Sequence, residues 1–561
     1  MNKHVTKYKI IGQIIFVIIF LFTSSAKSLD KFGNEEQISD YFSGILLLNE
    51  NQYEDSLKYL KNLNGLEISH SNYSTKYLYA LVNSGNFKEA FTYSKKLKIK
   101  KKDIYESNIV LGIYYLKNSK IDLAKKYFLK TKKNSEFILN NYISSSLYGW
   151  SNISNLKQAT EELNNLNKSF ENFKKIQNAF LNCYFNTSNT KFFFNELLSS
   201  RTTDFSRYNY FLASYIASTG EINEAKKIVN SALELYPRNL LLNQYKLDLN
   251  EDKNILAFNC KKKTNVAAEI LYVAANVLSS QSMYSLSNFY LNLAKYLNED
   301  FHSYDTLMAE NFYKISNFKK AKKIYNNLSK KGKAFHWYSS KQLAKIFIES
   351  ENKNEALKLL EKSYNNLVKK NIYETFDYAE FLKNNEKFKK AITFYTQIIK
   401  RIQKKHPLYA ESTDGRGIAY ERIGEWDKAE KDLLASLEAK PDQAYVINYL
   451  AYSWIEKGIK IEKSLNMLEK ANKLRSNDPY ITDSLGWALF KLERYEEAKE
   501  YLQLAVRLLP ADPIVNDHYG DVLWKIGNEI QARYYWDYVL NLEKIEDKLK
   551  KNVEDKLIKG L

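Results

Sequence analysis

The chain has 561 residues, and only 17 are glycine and 6 are proline. So few helix-breaking residues fit long runs of α-helix. A chain of this length usually folds as three or four globular domains, but an array of repeats has no such limit because each unit contacts only its neighbours. The net charge of +19 (84 Lys and Arg against 65 Asp and Glu) comes mostly from scattered lysine and does not by itself indicate a nucleic-acid-binding protein.

The first 26 residues have the pattern of a secretory signal peptide. Three lysines up to Lys9 precede an apolar run over residues 10–22, and small residues follow as far as Ala26. Thirteen apolar residues are shorter than the roughly 20 that a membrane-spanning helix needs. We therefore expect cleavage after Ala26 or Ser28, with an uncleaved signal anchor as the alternative.

Export would place the protein in the periplasm or on the periplasmic or outer-membrane-associated face of a bacterial cell envelope. No cysteine follows the apolar run, so a lipid anchor of the bacterial lipoprotein kind is not indicated. In that compartment the basic charge favours contact with an anionic membrane or an envelope polymer over nucleic acid.

From residue 35 onward, pairs of small residues recur at a spacing of twelve, and the leading residues are mostly 34 or 35 apart. Such a period indicates a stacked array of helix pairs. Before residue 400 the pattern recurs in copies that match it less fully than the repeats near the C-terminus. They are Gly44 with Ser56, Leu78 with Ala90, Gly112 with Ala124, Ala213 with Ala225, Ala275 with Ser287, Ala309 with Ala321, Ala344 with Ala356, and Ala379 with Ala391. Residues 140–205 would hold two degenerate units, of which only Leu147 with Ala159 is arguable. Residues 238–264 look like a broken or partial unit.

The two cysteines, Cys183 and Cys260, lie in these two poorly matching stretches. They do not form a CxxC metal or redox pattern. We expect two buried or half-buried thiols, and a disulfide in an oxidising compartment remains the alternative.

Four units near the C-terminus repeat the small-residue pattern most clearly. Their leading residues, 417, 451, 486 and 520, are 34, 35 and 34 residues apart. A small side chain in the first helix lets the second helix approach closely, and a proline after the second helix ends it. The residues predicted to pack the repeats are Gly417, Ala429, Pro441, Ala451, Ala471, Gly486, Ala498, Ala505, Pro510, Gly520 and Ala532.

This pattern resembles the tetratricopeptide repeat (TPR) family, whose 34-residue unit has a small residue at position 8, alanine at 20, a small residue at 27 and proline at 32. The unit led by Gly486 matches all four positions, with Ala498, Ala505 and Pro510. The resemblance implies an all-α protein, a TPR-type α-solenoid in which helix-turn-helix repeats form a right-handed superhelix after the N-terminal signal segment.

The expected organisation has five parts. They are a signal segment (1–26), a degenerate TPR-like array (35–270), weaker TPR-like repeats (271–400), four well-matched repeats (401–541) and a C-terminal capping helix (542–561). The last segment carries one apolar helical face and a polar remainder, which suits a cap. A short coiled-coil or partner-binding tail is its alternative.

In the resembled family, the first helix of each unit lines a concave groove with its positions 2, 5, 9, 12 and 13. This register places an aromatic surface with an acidic end in the groove. The candidate partner-binding residues are Tyr445, Asn448, Tyr452, Tyr480, Asp483, Trp487, Phe490, Asp517, Asp521, Trp524 and Lys525. The alternative is that several of them pack against the neighbouring unit, because helical spacing does not separate the two cases.

One binding mode of the family is not expected. Repeats that hold a C-terminal carboxylate use lysine at position 5 and asparagine at position 9 of the first unit, whereas position 5 here is Asp414, Asn448, Asp483 and Asp517. A carboxylate ligand would meet like charge, so a hydrophobic, aromatic or basic segment is the expected guest.

The sequence contains none of the common catalytic or cofactor motifs, and its six histidines have no partners at metal-ligand spacing. We therefore predict a non-catalytic scaffold of the cell envelope, without cofactor or metal, that binds an extended peptide or helix of a partner protein. The alternative is an accessory or catalytic subunit of an envelope glycan or secretion system whose site is not visible in the sequence.

Overall fold

Small residues at a spacing of twelve let one helix lie close against the next, and the computed structural model has this arrangement throughout. It describes residues 35–561 apart from 64, 134–136, 165–169, 201–202, 252, 254–256 and 544. All regular structure in the described residues is helical. The predicted signal peptide, residues 1–26, lies outside the described residues.

The chain divides into two units, and the boundary follows Ser363. The described part of the N-terminal unit contains nine helix pairs and one helix without a pair. The pairs are α1 (Glu35–Asn49) with α2 (Tyr53–Leu60), α3 (Ser71–Asn83) with α4 (Phe87–Ile99), α5 (Tyr105–Lys117) with α6 (Ile121–Lys133), α7 (Ile138–Asn152) with α8 (Leu156–Asn164), α9 (Glu171–Tyr184) with α10 (Thr190–Leu198), and α11 (Tyr208–Ser218) with α12 (Ile222–Leu235). The single helix α13 (Leu240–Asn250) precedes α14 (Lys263–Ser280) with α15 (Tyr284–Leu297), α16 (Ser303–Lys314) with α17 (Phe318–Leu328), and α18 (Lys333–Glu349) with α19 (Lys353–Asn365).

The C-terminal unit contains five helix pairs and a terminal helix. They are α20 (Ile372–Asn384) with α21 (Phe388–Ile399), α22 (Pro407–Arg422) with α23 (Trp426–Ala439), α24 (Ala444–Glu456) with α25 (Ile461–Leu474), α26 (Pro479–Lys491) with α27 (Tyr495–Leu508), α28 (Pro513–Lys525) with α29 (Glu529–Leu540), and α30 (Asp547–Lys559). The prediction of an all-α array of helix pairs is confirmed. The predicted boundaries at residues 270 and 400 reflect how well the repeats match the family pattern, whereas the division after Ser363 reflects packing.

Local sequence explains where the best-matched helices begin and end. Pro407, Pro479 and Pro513 each occupy the first turn of a first helix, where the missing N–H costs nothing. After α22 the backbone turns back through Gly424, whose φ of +83° is a left-handed conformation that favours glycine. The predicted small packing residues from Gly417 to Ala532 are buried in the pairs, while Pro441 and Pro510 are exposed just after α23 and α27.

The poorly matching stretches also follow the predicted pattern. Residues 140–205 hold two helix pairs, α7 with α8 and α9 with α10. Residues 238–264 hold one complete helix, α13, and the described residues between α13 and α14 form no second helix.

In the N-terminal unit, the first helices of the early pairs are covered by later helices of the same unit. Helices α3 and α5 lie against α15, and α7 lies against α14. Tyr79 and Phe289 meet with ring centroids 4.8 Å apart, and Glu54 binds Lys320 at 2.9 Å. The surface that would line a groove in this unit is therefore occupied by the chain itself.

Cys183 and Cys260 form a disulfide, with Cα atoms 6.0 Å apart. The expectation of two thiols is wrong here. The segment between α13 and α14 brings Cys260 next to α9, where Phe258 also packs between Phe180 and Phe211. The disulfide therefore attaches this non-helical segment to the unit's apolar core.

Candidate functional site

The first helices of the C-terminal unit contact one another in two groups. Helix α20 lies against α22, α24 against α26, and α26 against α28. We call the surface formed by α20, α22, α24, α26 and α28 the first-helix face. Helices α26 and α28 start at aspartate caps: Asp478 accepts a hydrogen bond from the N–H of Ile481 at 3.3 Å, and Asp512 accepts one from that of Ile514 at 2.9 Å. These caps set the residue at which each of the two helices begins.

The eleven candidate residues fall into three groups by exposure. Tyr445, Tyr480 and Lys525 are exposed, and Asn448, Tyr452 and Trp524 are half-buried. The other five, Asp483, Trp487, Phe490, Asp517 and Asp521, are buried. These five side chains pack against other side chains of the array.

The exposed part of the face is a row of large side chains near the starts of three successive first helices. Tyr445 on α24 is 51% exposed, Tyr480 on α26 is 55% exposed and Ile514 on α28 is 46% exposed. The hydroxyl of Tyr445 donates to Asp478 at 2.8 Å, so that ring is held in place. Ile514 was not among the candidates, although it occupies the same register position as the two tyrosines.

Trp487 lies inside a stack of rings. Its ring is 4.7 Å from Phe490 and 3.9 Å from His518 between centroids, and it is nearly parallel to both. Its indole N–H donates to Glu456 at 2.8 Å. Trp487 therefore joins α24, α26 and α28, and contributes to the packing between repeats.

The buried carboxylates of the first-helix face are paired with His518 and Lys556, which come from helices two places further along the chain. His518 on α28 contacts Asp483 on α26 at 3.0 Å. Lys556 on α30 lies 2.8 and 2.9 Å from the two oxygens of Asp517, and 2.7 and 2.8 Å from those of Asp521. Neither His518 nor Lys556 was singled out from the sequence, since a pairing between different helices leaves no signal in the spacing.

The pKa shifts follow from burial and from these charges. Burial alone would lower the pKa of His518, but the charge and hydrogen bond of Asp483, with Asp517 and Asp521 nearby, raise it overall. Burial and the charge of Asp517 raise the pKa of Asp521 to about 6, although Lys556 acts in the opposite direction. His518 and Asp521 therefore hold their protons more tightly than the free side chains do.

The N-terminal end of the face has acceptors without donors. Burial raises the pKa of Asp414 on α22 to about 6, with Lys383 lowering it and Glu380 and Glu411 raising it. The Oδ1 atoms of Asp414 and Asn448 are buried and accept no hydrogen bond from the described residues. Asp414 was read from the sequence as a position-5 residue but was not named as a binding residue.

The charge of this region differs from that of the whole chain. Residues 407–541 contain 17 Lys and Arg against 23 Asp and Glu, a net charge of −6 within a chain of +19. Within the described ranges, no group of three His, Cys, Asp or Glu side chains is placed to hold a metal ion. No helix in the same ranges is long and apolar enough to cross a bilayer.

An array of antiparallel helix pairs with an accessible face of first helices defines the class of α-helical repeat proteins. Residues 307–544 match the family model described as tetratricopeptide repeat. The match identifies tetratricopeptide repeats over these residues.

Relatives and solved structures match only parts of the chain or match it loosely. A TPR repeat-containing protein of Pseudomonas aeruginosa is 30% identical over 124 residues, which are 22% of this chain and 20% of that protein. The chain thus spans about a fifth of the length of this curated relative. YrrB, described as a TPR protein with an unusual peptide-binding site, matches 33% of this chain and 92% of its own at 16% identity and a TM-score of 0.27. The APC/C hetero-tetramer Cut9-Hcn1 covers 95% of this chain and 98% of its own at 14% identity and a TM-score of 0.38.

Proposed function

We propose that this protein is a non-catalytic scaffold, and that the first-helix face of its C-terminal unit binds an extended segment or a helix of a partner protein. The observation that carries the proposal is the row of Tyr445, Tyr480 and Ile514, which are the exposed large apolar side chains on the described first helices of this unit. Large, rigid side chains of this kind anchor partners at protein interfaces. The corresponding face of the N-terminal unit is covered by α14 and α15 and is not part of the proposed site.

Site-specific photo-crosslinking in intact cells tests this function. A benzophenone amino acid replaces Tyr480 in one strain and Tyr534 in the other, since both tyrosines are more than half exposed but Tyr534 lies on the second helix α29. We expect a discrete crosslinked partner from position 480 and none from position 534. Equal adducts at both positions, or no adduct at position 480, would contradict the proposal.

We further propose that the protein is exported and works in the cell envelope. The disulfide between Cys183 and Cys260 supports an oxidising compartment. The basic and apolar pattern of residues 1–26 supports export, and a tethered form remains the alternative.

Cell fractionation with mass determination of the mature protein checks the location. We expect a periplasmic protein that starts after Ala26 or Ser28 and contains no free thiol. A membrane-bound protein with an intact N-terminus would favour the signal anchor. A cytoplasmic protein with two free thiols would refute export.

A further inference from the structure

One register position links the four best-matched repeats of the C-terminal unit. Position 5 of their first helices is Asp414 on α22, Asn448 on α24, Asp483 on α26 and Asp517 on α28. Asp483 is bound to His518 on α28, and Asp517 is bound to Lys556 on α30. A carboxylate at this position is therefore stable in the array when a donor group lies over it.

Lys556 shows how such a position receives a basic side chain. Its ammonium group is buried on α30 and lies within 2.9 Å of both oxygens of Asp517. Helix α30 follows the last repeat, so this lysine comes from a helix that packs on the array without belonging to a repeat. The molecule thus contains one occupied example of a basic side chain on a position-5 carboxylate.

Asp414 has no such donor among the described residues. The residue that corresponds to His518, 35 positions further on, is Tyr449, and its hydroxyl donates to Glu421 at 2.8 Å. The neighbouring cation Lys383 lies 3.0 Å from both oxygens of Glu380. The Oδ1 atom of Asp414 stays buried without a hydrogen bond, which is costly for a carboxylate.

The surroundings of Asp414 favour a cationic occupant. On α24, Asn448 offers a second buried acceptor oxygen without a donor, and the exposed ring of Tyr445 lies one turn earlier on the same helix. The net charge of −6 over residues 407–541 opposes an anionic partner. An apolar side chain over either of these two residues would leave its acceptor without a donor.

We infer that the partner segment carries a lysine or arginine side chain that binds Asp414 and Asn448, as Lys556 binds Asp517. This inference rests on the proposed function and names the chemistry of the partner. Tyr445 and Tyr480 would contact the flanking residues of the same segment.

Peptide selection tests the inference without knowledge of the natural partner. A phage-displayed library of random 12-residue peptides is selected on the full-length protein, and the most enriched peptide is labelled with fluorescein for anisotropy titration. The variants are Asp414→Asn, which keeps the shape and removes the charge, and Asp442→Asn, whose exposed carboxylate pairs with Lys470 at 2.8 Å as a surface control. Thermal unfolding by circular dichroism confirms that both variants are folded.

We expect the enriched peptides to share a Lys or Arg, and Asp414→Asn to weaken binding about tenfold or more, because a charge-assisted hydrogen bond is lost. Asp442→Asn should change affinity less than about twofold. Replacing the shared basic residue of the peptide by glutamine should have no further effect on the Asp414→Asn variant. Enriched peptides without a basic residue, or equal binding by Asp414→Asn and wild type, would overturn the inference while the scaffold function stands. Failure of the wild type to enrich any peptide would count against the proposed function itself.

Discussion

Replacing Lys556 by methionine should loosen the C-terminal helix α30 far more than the same change at Lys559. The ammonium group binds all four oxygens of Asp517 and Asp521, and its side chain is only 8% exposed. Methionine keeps most of the apolar stem in place, so the change removes mainly the charge. The two carboxylates then stay buried without their cation, which typically costs about 3–5 kcal/mol.

Lys559 provides the matched control on the same helix. Its side chain is 75% exposed and lies 3.7 Å from Asp555, so Lys559→Met should cost at most about 1 kcal/mol. Because terminal helices of an array open locally, the difference should appear in amide hydrogen exchange of α30. At pH 7.5, we expect Lys556→Met to lower protection there about 100-fold relative to Lys559→Met, which corresponds to roughly 3 kcal/mol.

A second change shows whether the lost charge is the cause. Adding Asp517→Asn and Asp521→Asn to Lys556→Met removes the unpaired carboxylates and should restore most of the protection. The reasoning would be refuted if Lys556→Met and Lys559→Met differed less than about threefold. It would also be refuted if the triple variant remained as loose as Lys556→Met.

Three further predictions concern stability. Replacing Cys183 and Cys260 by serine opens a loop of 77 residues and should lower the free energy of unfolding by about 4.5 kcal/mol in the chain-entropy description. Only the N-terminal unit should then unfold at a lower urea midpoint, and an unchanged midpoint would contradict the prediction. Gly486→Ala should lower the free energy of unfolding of the C-terminal unit in urea by about 1 kcal/mol or more, although alanine has the better helix propensity. The reason is that the added Cβ would lie 2.6 Å from Leu502 Cγ and 3.1 Å from the Leu502 backbone nitrogen. A more stable variant would show that the helices can move apart. The pKa of His518 is raised in the folded protein, so the stability from its ion pair is complete below about pH 6.5 and is lost as pH rises through the folded pKa. The difference in free energy of unfolding between wild type and His518→Gln should therefore be smaller at pH 9 than at pH 6. A larger difference at pH 9 would contradict this prediction.

Most of the helix pairs could be predicted because their signal is local. A small residue is needed wherever two helices approach closely, and the partner residue lies a fixed twelve positions later. The pair α9 with α10 was hard to recognise because the corresponding positions hold the large residues Leu181 and Phe193. There the helices pack through large side chains, and the spacing of small residues says nothing.

The disulfide and the covered face of the N-terminal unit could not be predicted in this way. Cys183 and Cys260 are 77 residues apart and meet only because a non-helical segment follows α13. Likewise, Tyr79 meets Phe289 because α3 lies against α15, twelve helices later. Contacts of this range depend on how the helix pairs accumulate in three dimensions, which no local pattern records.

The sequence predicted the register positions of the candidate residues, but not which of their side chains are exposed. Counting positions placed Tyr480, Asp483 and Trp487 on the first helix α26, and all three are there. Only Tyr480 is exposed, because the next first helix, α28, covers the other two with His518. Helical periodicity gives the direction of a side chain, but the identity of the side chains on the next helix decides whether a partner can reach it.

The pairing of charges between successive helices also explains why the proposed site lies toward the N-terminal end of the C-terminal unit. Two position-5 carboxylates receive their cations from helices later in the chain: Asp483 from α28 and Asp517 from α30. A free partner would have to displace a group that is attached to the same chain and therefore present at high effective concentration. At Asp414 the buried Oδ1 atom accepts no hydrogen bond from the described residues, because Tyr449 donates to Glu421 and Lys383 binds Glu380. We therefore expect a basic segment in solution to bind most favourably at Asp414 on α22, where the buried acceptor has no donor.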